Sequence, residues 1–217
     1  KGNPRATGNQ FKIFDGFTQM QSVFRQQVRN SWPQYGSRLS KIADVDPEDH
    51  LEALSLSAID SIRRLSNTVS MTDLKVASQR LAQADTVWLA AGGRAKPVKV
   101  YMRYLLTKLG IRSQELREAP SEAMRELNLI GPHDILFVVS FSPYGELTVN
   151  LAQRAHERGI PLVSITDTRV SPVALDTTLL VTEENFFGFR SLCATMNLAQ
   201  YLAIEAGLKR DRDTAND

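Results

Sequence analysis

Asp134-Ile135-Leu136-Phe137-Val138-Val139-Ser140-Phe141-Ser142-Pro143-Tyr144-Gly145-Glu146 is the stretch that decides the fold. Its first half is an apolar run without polar alternation. Such a run suits a strand covered on both faces, as strands of parallel sheets are. Its second half changes character: hydroxyls, a proline and a glycine lead into an amphipathic segment at 146–158 that ends at Gly159. A buried strand, a polar loop and a helix in that order form one βα unit.

The same grammar extends to both sides. Upstream, Thr86–Ala91 is an apolar strand ending in Gly92-Gly93. A helix over 96–109 stops at Gly110, Ser113–Leu116 is a short strand, and a helix covers 121–129. Downstream, Pro161–Thr166 and Thr178–Thr182 are strands. The spacing then predicts an apolar helix over 189–206 that ends at Gly207, followed by a charged disordered tail. Alternating strands and helices predict an α/β fold with a doubly wound, mostly parallel sheet.

The part before residue 85 reads as helical. Phe17, Met20, Phe24 and Val28 recur at helical spacing, and Trp32-Pro33 interrupts the pattern. Asp46-Pro47-Glu48-Asp49 carries a cap, a first-turn proline and acids suited to a helix start. Leu51, Leu54, Ala58, Ile62 and Leu65 form one stripe of a helix over 47–66. A shorter helix over 72–83 is capped by Thr72 or Ser70. The expected organisation is an N-terminal segment at 1–45, a helical linker or dimerisation segment at 46–75, the α/β domain at 76–208 and the tail at 209–217.

Composition bounds the function. The 217 residues are 42% hydrophobic and 23% charged, an ordinary globular balance. Residues 1–41 hold seven basic residues and one acid, a net of +6, so the rest carries −4 of the total +2. A basic end on a mildly acidic body points to a nucleic-acid-facing segment or to a solvated helix face, with equal weight. No apolar run reaches the roughly 18 residues of a membrane span. The chain begins at Lys1 without a signal-peptide core, which points to a truncated or processed product. Cys193 stands alone, fits a reducing, cytoplasmic setting, and reads as buried filler.

Ligands of open α/β sheets bind beyond the carboxyl ends of the strands. Gly92-Gly93-Arg94-Ala95-Lys96 offers a close backbone approach, a helix N-terminus and two cations, but lacks the GxGxxG spacing of a dinucleotide site. Ser140, Ser142 and Tyr144 offer hydroxyls. Asp167 accepts a hydroxyl or pairs with Arg169, a structural turn being the favoured role. The ligand-binding candidates are Gly93, Arg94, Lys96, Ser140, Ser142 and Tyr144, with Thr166 and Glu183 at the edge. The catalytic inventory is thin. His50, His133 and His156 are scattered, metal-ligand spacing is absent, and Glu183-Glu184 are adjacent carboxylates that point apart. No cofactor, metal or catalytic residue is expected.

Thr86–Gly93, Gly131-Pro132-His133-Asp134, Ser140–Glu146, Arg158–Asp167, Ser171-Pro172-Val173-Ala174 and Phe189-Arg190-Ser191 occur in an order that resembles the SIS (sugar isomerase) domain. Residues 85–206 look specifically like the effector domain of RpiR-family transcription regulators. Upstream, Arg5-Ala6-Thr7, Phe11 and Phe14-Asp15-Gly16-Phe17 with Met20 and Phe24 resemble the end of that family's helix-turn-helix domain, whose earlier helices are missing. The resemblance implies a DNA-binding regulator, not an enzyme, that forms a homodimer or higher oligomer. Arg5, Thr7, Lys12 and Arg25 would face the DNA operator. The effector it implies is a small anionic, sugar-derived molecule. Many SIS domains read Ser-x-Ser-Gly-x-Thr in the second loop and bind a sugar phosphate there. Pro143 and Gly145 depart from that pattern, which argues against a phosphosugar. The alternative is a sugar-phosphate isomerase on the same fold, with Glu146, Glu183 or His156 as the base.

Overall fold

The computed structural model describes residues 35–43 and 47–214. The chain divides into two compact units, residues 1–44 and 45–217. In the first unit, helix α1 spans Tyr35–Ala43, where the sequence reading placed no element. The expected helix through Phe17 and Val28, and the candidates Arg5, Thr7, Lys12 and Arg25, lie outside the described residues.

The second unit begins with α2 (Pro47–Thr68) and α3 (Met71–Gln83). Ser70 caps α3, its hydroxyl oxygen accepting from the Asp73 amide at 3.3 Å. Then follow β1 (Val87–Ala91), a 3-10 turn (Gly93–Ala95), α4 (Lys96–Lys108), β2 (Ser113–Glu115) and α5 (Pro120–Leu127). The chain continues through β3 (Ile135–Val139), α6 (Glu146–Glu157), β4 (Leu162–Thr166) and β5 (Thr177–Leu180). A two-stranded hairpin, β6 (Asn185–Phe186) and β7 (Phe189–Arg190), leads into α7 (Cys193–Thr214).

The main sheet has the order β2-β1-β3-β4-β5, and all its pairings are parallel. The register sets Val87 against Ile135 and Phe137 against Val163. Successive side chains on a strand point to opposite faces, and here both faces are buried. Val87, Leu89, Ile135, Phe137, Val163 and Ile165 pack with Leu81 of α3, Met102 of α4 and Leu202 of α7. Trp88, Ala90, Leu136, Val138 and Leu162 pack with Leu127 of α5 and Ala152 and Ala155 of α6. That double cover is why β1 and β3 read as unbroken apolar runs.

The Gly131-Pro132-His133-Asp134 turn is fixed by Asp134. Its Oδ2 accepts from the Gly131 amide at 2.8 Å and from Trp88 Nε1 at 3.1 Å. Helix α2 joins the body near the start of β6. The Ser61 hydroxyl donates to the Ser57 carbonyl at 2.9 Å and accepts from the Glu184 amide at 2.8 Å, while Arg64 pairs with Glu184 at 2.9 Å.

Three expectations are corrected at the C-terminal end. The last helix starts at Cys193, because Phe186-Phe187-Gly188-Phe189 closes a hairpin in which Phe187 and Gly188 both have positive φ (46° and 90°). It also runs through Gly207 to Thr214, so residues 209–214 are helical and not a disordered tail. Arg210 reaches back to the Ala82 and Ala84 carbonyls at 3.2 and 3.3 Å, and this contact holds the last turns against the end of α3. Cys193 is exposed, not buried filler. It lies in the first turn of α7, outside the stripe of Ala194, Leu198, Ala199 and Leu202 that enters the core.

Candidate functional site

The chain passes from β1 outward to β2 and then returns to β3 on the other side of β1. The connections leaving β1 and β3 therefore diverge, which opens a crevice at their carboxyl ends. Gly92, Gly93 and Arg94 form one wall, and Ser140 to Gly145 form the other. Gly93 has φ 52°, a conformation glycine adopts without steric cost, and it turns the chain into the 3-10 segment. A Cβ at Gly92 would lie 3.2 Å from the Thr148 hydroxyl oxygen, and one at Gly145 would lie 3.7 Å from the same atom. The tight approach at Gly92 lets the first loop close on the first turn of α6, while Gly145 would tolerate a side-chain carbon there.

Arg94 is half-buried. Its Nη1 donates to the Ser191 carbonyl at 3.0 Å, and its guanidinium lies 5.0 Å from the centre of the Phe141 ring. Burial, and then the neighbouring Arg190, push its pKa down, while Glu183 and Asp167 pull it back up. Arg190 arrives from β7 and donates to the Ser142 carbonyl at 3.0 Å. Two cations from distant parts of the chain therefore meet at the β3–α6 loop.

Asp167, just beyond β4, organises that loop. Its Oδ2 accepts from the Ser142 amide at 3.0 Å, and its Oδ1 accepts from the Tyr144 hydroxyl at 2.7 Å. Burial, with the hydrogen bond to Asp167 next, raises the Tyr144 pKa, so the phenol stays protonated as a donor. The buried Thr166 hydroxyl bonds the Ser171 hydroxyl at 2.8 Å and approaches Asp167 Oδ1 at 3.4 Å. The Ser142–Pro143 peptide is cis.

Glu183 follows β5 and is also committed. Oε1 accepts from the Thr195 amide at 2.8 Å and from its hydroxyl at 2.6 Å, and Oε2 accepts from Ser191 at 2.8 Å. A remote carboxylate thus satisfies donors in and before the first turn of α7. Its neighbour Glu184 turns to Arg64, so the two adjacent carboxylates do point apart.

The structure gathers Gly93, Arg94, Ser140, Ser142 and Tyr144 at one sheet end. Ser140 is buried at the end of β3, its amide donating to the Ile165 carbonyl at 3.1 Å. Thr166 and Glu183 lie behind the crevice as supports. Lys96 is directed elsewhere, its Nζ pairing with Glu118 at 2.5 Å on the β2 side. The sequence reading left out Arg190, Ser191, Thr148 and Thr195, and favoured a turn role for Asp167. Asp167 had one readable signal, its place directly after a strand. Arg190 stood only within the Phe189-Arg190-Ser191 motif, and nothing local placed it at the loop, since only the hairpin brings it there. Among the described residues no group of three or more His, Cys, Asp or Glu is placed to hold a metal, and no helix is long and apolar enough to cross a membrane. A separate open groove of about 460 Å³ lies between α3 and α7, lined by Met71, Lys75, Val76, Tyr201, Glu205 and Lys209 among others, and it contains none of the strand-end residues.

Fold and strand-end loops together define an α/β domain with a topological switch point at the carboxyl end of its parallel sheet. The SIS domain family model matches residues 80–206, over half of the chain, and the chain belongs to that family. Solved structures share the fold. The sugar isomerase domain of an RpiR transcription factor from Sphaerobacter thermophilus is 24% identical with a TM-score of 0.68, the match covering 76% of this chain and 97% of that one. The Vibrio vulnificus NanR protein, in complex with ManNAc-6P, is 18% identical with a TM-score of 0.64, covering 94% and 71%. A Methanococcus jannaschii protein with an inferred 3-hexulose-6-phosphate isomerase function is 15% identical with a TM-score of 0.53, covering 77% and 92%. No curated protein matches the sequence significantly.

Proposed function

We propose that this chain is the effector-sensing part of a cytoplasmic, DNA-binding transcription regulator of the RpiR type. Its SIS domain senses a small anionic carbohydrate derivative, and the protein acts as a homodimer. The observation that carries this reading is the meeting of Arg94 and Arg190 at the β3–α6 loop, beside carboxylates that are already hydrogen-bonded. A half-buried guanidinium beside an exposed one suits an anionic ligand. Carboxylates that hold loops and a helix start suit retention of a ligand over proton transfer. The RpiR transcription factor and NanR among the structural neighbours support a regulator, and the ManNAc-6P complex of NanR supports a sugar-derived effector. The basic segment at residues 1–41 supports contact with DNA phosphates through Arg5, Lys12 and Arg25.

A thermal-shift screen of sugar acids and phosphosugars tests the sensing role, followed by operator gel shifts with the full-length protein. The expected result is a stabilising sugar-derived anion that changes a salt-dependent shift. DNA binding that is absent with and without every stabilising ligand would sink the regulator reading. The Methanococcus jannaschii neighbour favours a second reading, a sugar-phosphate isomerase with Glu146 at the start of α6 as base. Turnover of aldose or ketose phosphates that disappears in Glu146→Gln would establish it.

A further inference from the structure

A loop between a strand end and a helix start is a natural anion cradle, because its backbone N–H groups point outward and the helix dipole favours negative charge. In this protein the cradle at the end of β3 already faces an anion of the chain's own. The Asp167 carboxylate takes the Ser142 amide at 3.0 Å on one oxygen and the Tyr144 hydroxyl at 2.7 Å on the other. Pro143 has no N–H to offer, and the Ser140 amide is bound to the Ile165 carbonyl at 3.1 Å. A phosphoryl group brought to this loop would compete for the Ser142 amide and the Tyr144 hydroxyl and lie against a carboxylate. Like charges at that range disfavour each other strongly.

The cations sit to one side of this arrangement. Arg94 stands over Phe141 and Arg190 holds the Ser142 carbonyl. Each guanidinium carries five N–H donors, and among the described residues each gives one to a backbone carbonyl. The remaining donors suit a planar carboxylate, which matches the fork of a guanidinium.

We propose that Asp167 is the specificity-determining residue of this crevice: its carboxylate occupies the anion position of the β3–α6 loop, excludes a phosphoryl group there, and leaves the site to a non-phosphorylated polyhydroxy carboxylate whose anionic end meets Arg94 and Arg190. The ligand class rests on the sensing function proposed above, while the exclusion of phosphate rests on the loop alone. In this arrangement ligand hydroxyls donate to Asp167 and exchange hydrogen bonds with the Ser140 and Ser142 hydroxyls.

The test uses three probes: inorganic phosphate, glucose 6-phosphate and gluconate. Binding is measured by calorimetry on the wild type, Asp167→Ser and Asp167→Asn, with folding checked by circular dichroism. Serine is short and releases the Ser142 amide and the Tyr144 hydroxyl. Asparagine keeps the shape and removes the charge. Asp167→Ser should bind inorganic phosphate at least about tenfold more tightly than the wild type, with Asp167→Asn between the two. Wild-type protein should bind gluconate and not glucose 6-phosphate. Equal phosphate affinity in wild type and both variants, or none in any of them, would overturn the role of Asp167. Glucose 6-phosphate binding by the wild type would overturn it even if neither variant folds. A gain of phosphate binding in the variants with no gluconate binding in the wild type would sink the carboxylate ligand and the sensing function it rests on, and keep Asp167 as the group that excludes phosphate.

Discussion

Glu183 accepts both the amide and the hydroxyl of Thr195, at 2.8 and 2.6 Å, and so ties the end of β5 to the first turn of α7. Thr195 is fully buried, so its hydroxyl has no water to turn to if the carboxylate is removed. Glu183→Ala should destabilise the domain by about 2–3 kcal/mol, the scale of charged hydrogen bonds plus a lost cap. Glu183→Gln should lose less, since the amide oxygen still accepts. Urea unfolding measures both. A null effect of Glu183→Ala would release this carboxylate from its structural role and return it to the candidate bases.

Arg94→Ala should weaken an anionic effector by about 1.5–3 kcal/mol, the range of a hydrogen bond to a charged group. It should also cost about 1 kcal/mol of stability without ligand, because the Ser191 carbonyl loses a donor and the Phe141 ring loses a cation. Calorimetric titration and thermal unfolding separate the two effects. Unfolding of the variant with normal binding by its remaining folded fraction would mark Arg94 as purely structural.

Tyr144 ionises above the ordinary tyrosine range, because burial and the Asp167 carboxylate both oppose a phenolate. A raised pKa in the folded state gives stabilisation that is fully present below the unfolded value of about 10 and is lost as pH rises through the folded value. Ultraviolet difference titration of the five tyrosines should show a late phenolate step that Tyr144→Phe removes. If the variant titrates as the wild type does, the Tyr144–Asp167 contact is not held in solution.

The stripe on α2 predicts association. Leu51 is 72% exposed, Leu54 42% and Ile62 38%, an apolar row that the described residues of the second unit leave open. Light scattering at micromolar concentration should give a dimer. Replacing Leu51 and Leu54 with Glu removes about 1.5–3 kcal/mol of burial per leucine if both sit in the interface. A two-fold dimer carries each substitution twice, so about 6–12 kcal/mol is lost in all and the dimer weakens by roughly four to nine orders of magnitude. A wild-type monomer, or a double variant that dimerises unchanged, would rule out this face.

The sequence by itself determined the fold class and the end of the sheet at which the glycine and hydroxyl loops gather. Runs such as Ile135–Val139 and Leu162–Thr166 state that both faces of each strand are covered, and the helices between them require parallel pairing. The glycine and hydroxyl loops after β1 and β3 then mark the carboxyl edge without any coordinates. Local pattern carries this information because periodicity is a property of neighbours in the chain. What only the tertiary structure decided is how the polar groups pair. Asp167 meets Ser142 and Tyr144 across more than twenty residues, and Arg94 and Arg190 converge from across nearly a hundred. The hairpin that carries Arg190 is set by two residues with positive φ, Phe187 and Gly188, directly before the segment read as a helix from residue 189. Whether a charge is free for a ligand or committed to a backbone atom depends on distances of about 3 Å between such remote groups. Those distances are fixed by the packing of the whole sheet and its helices, and no local pattern in the sequence records them.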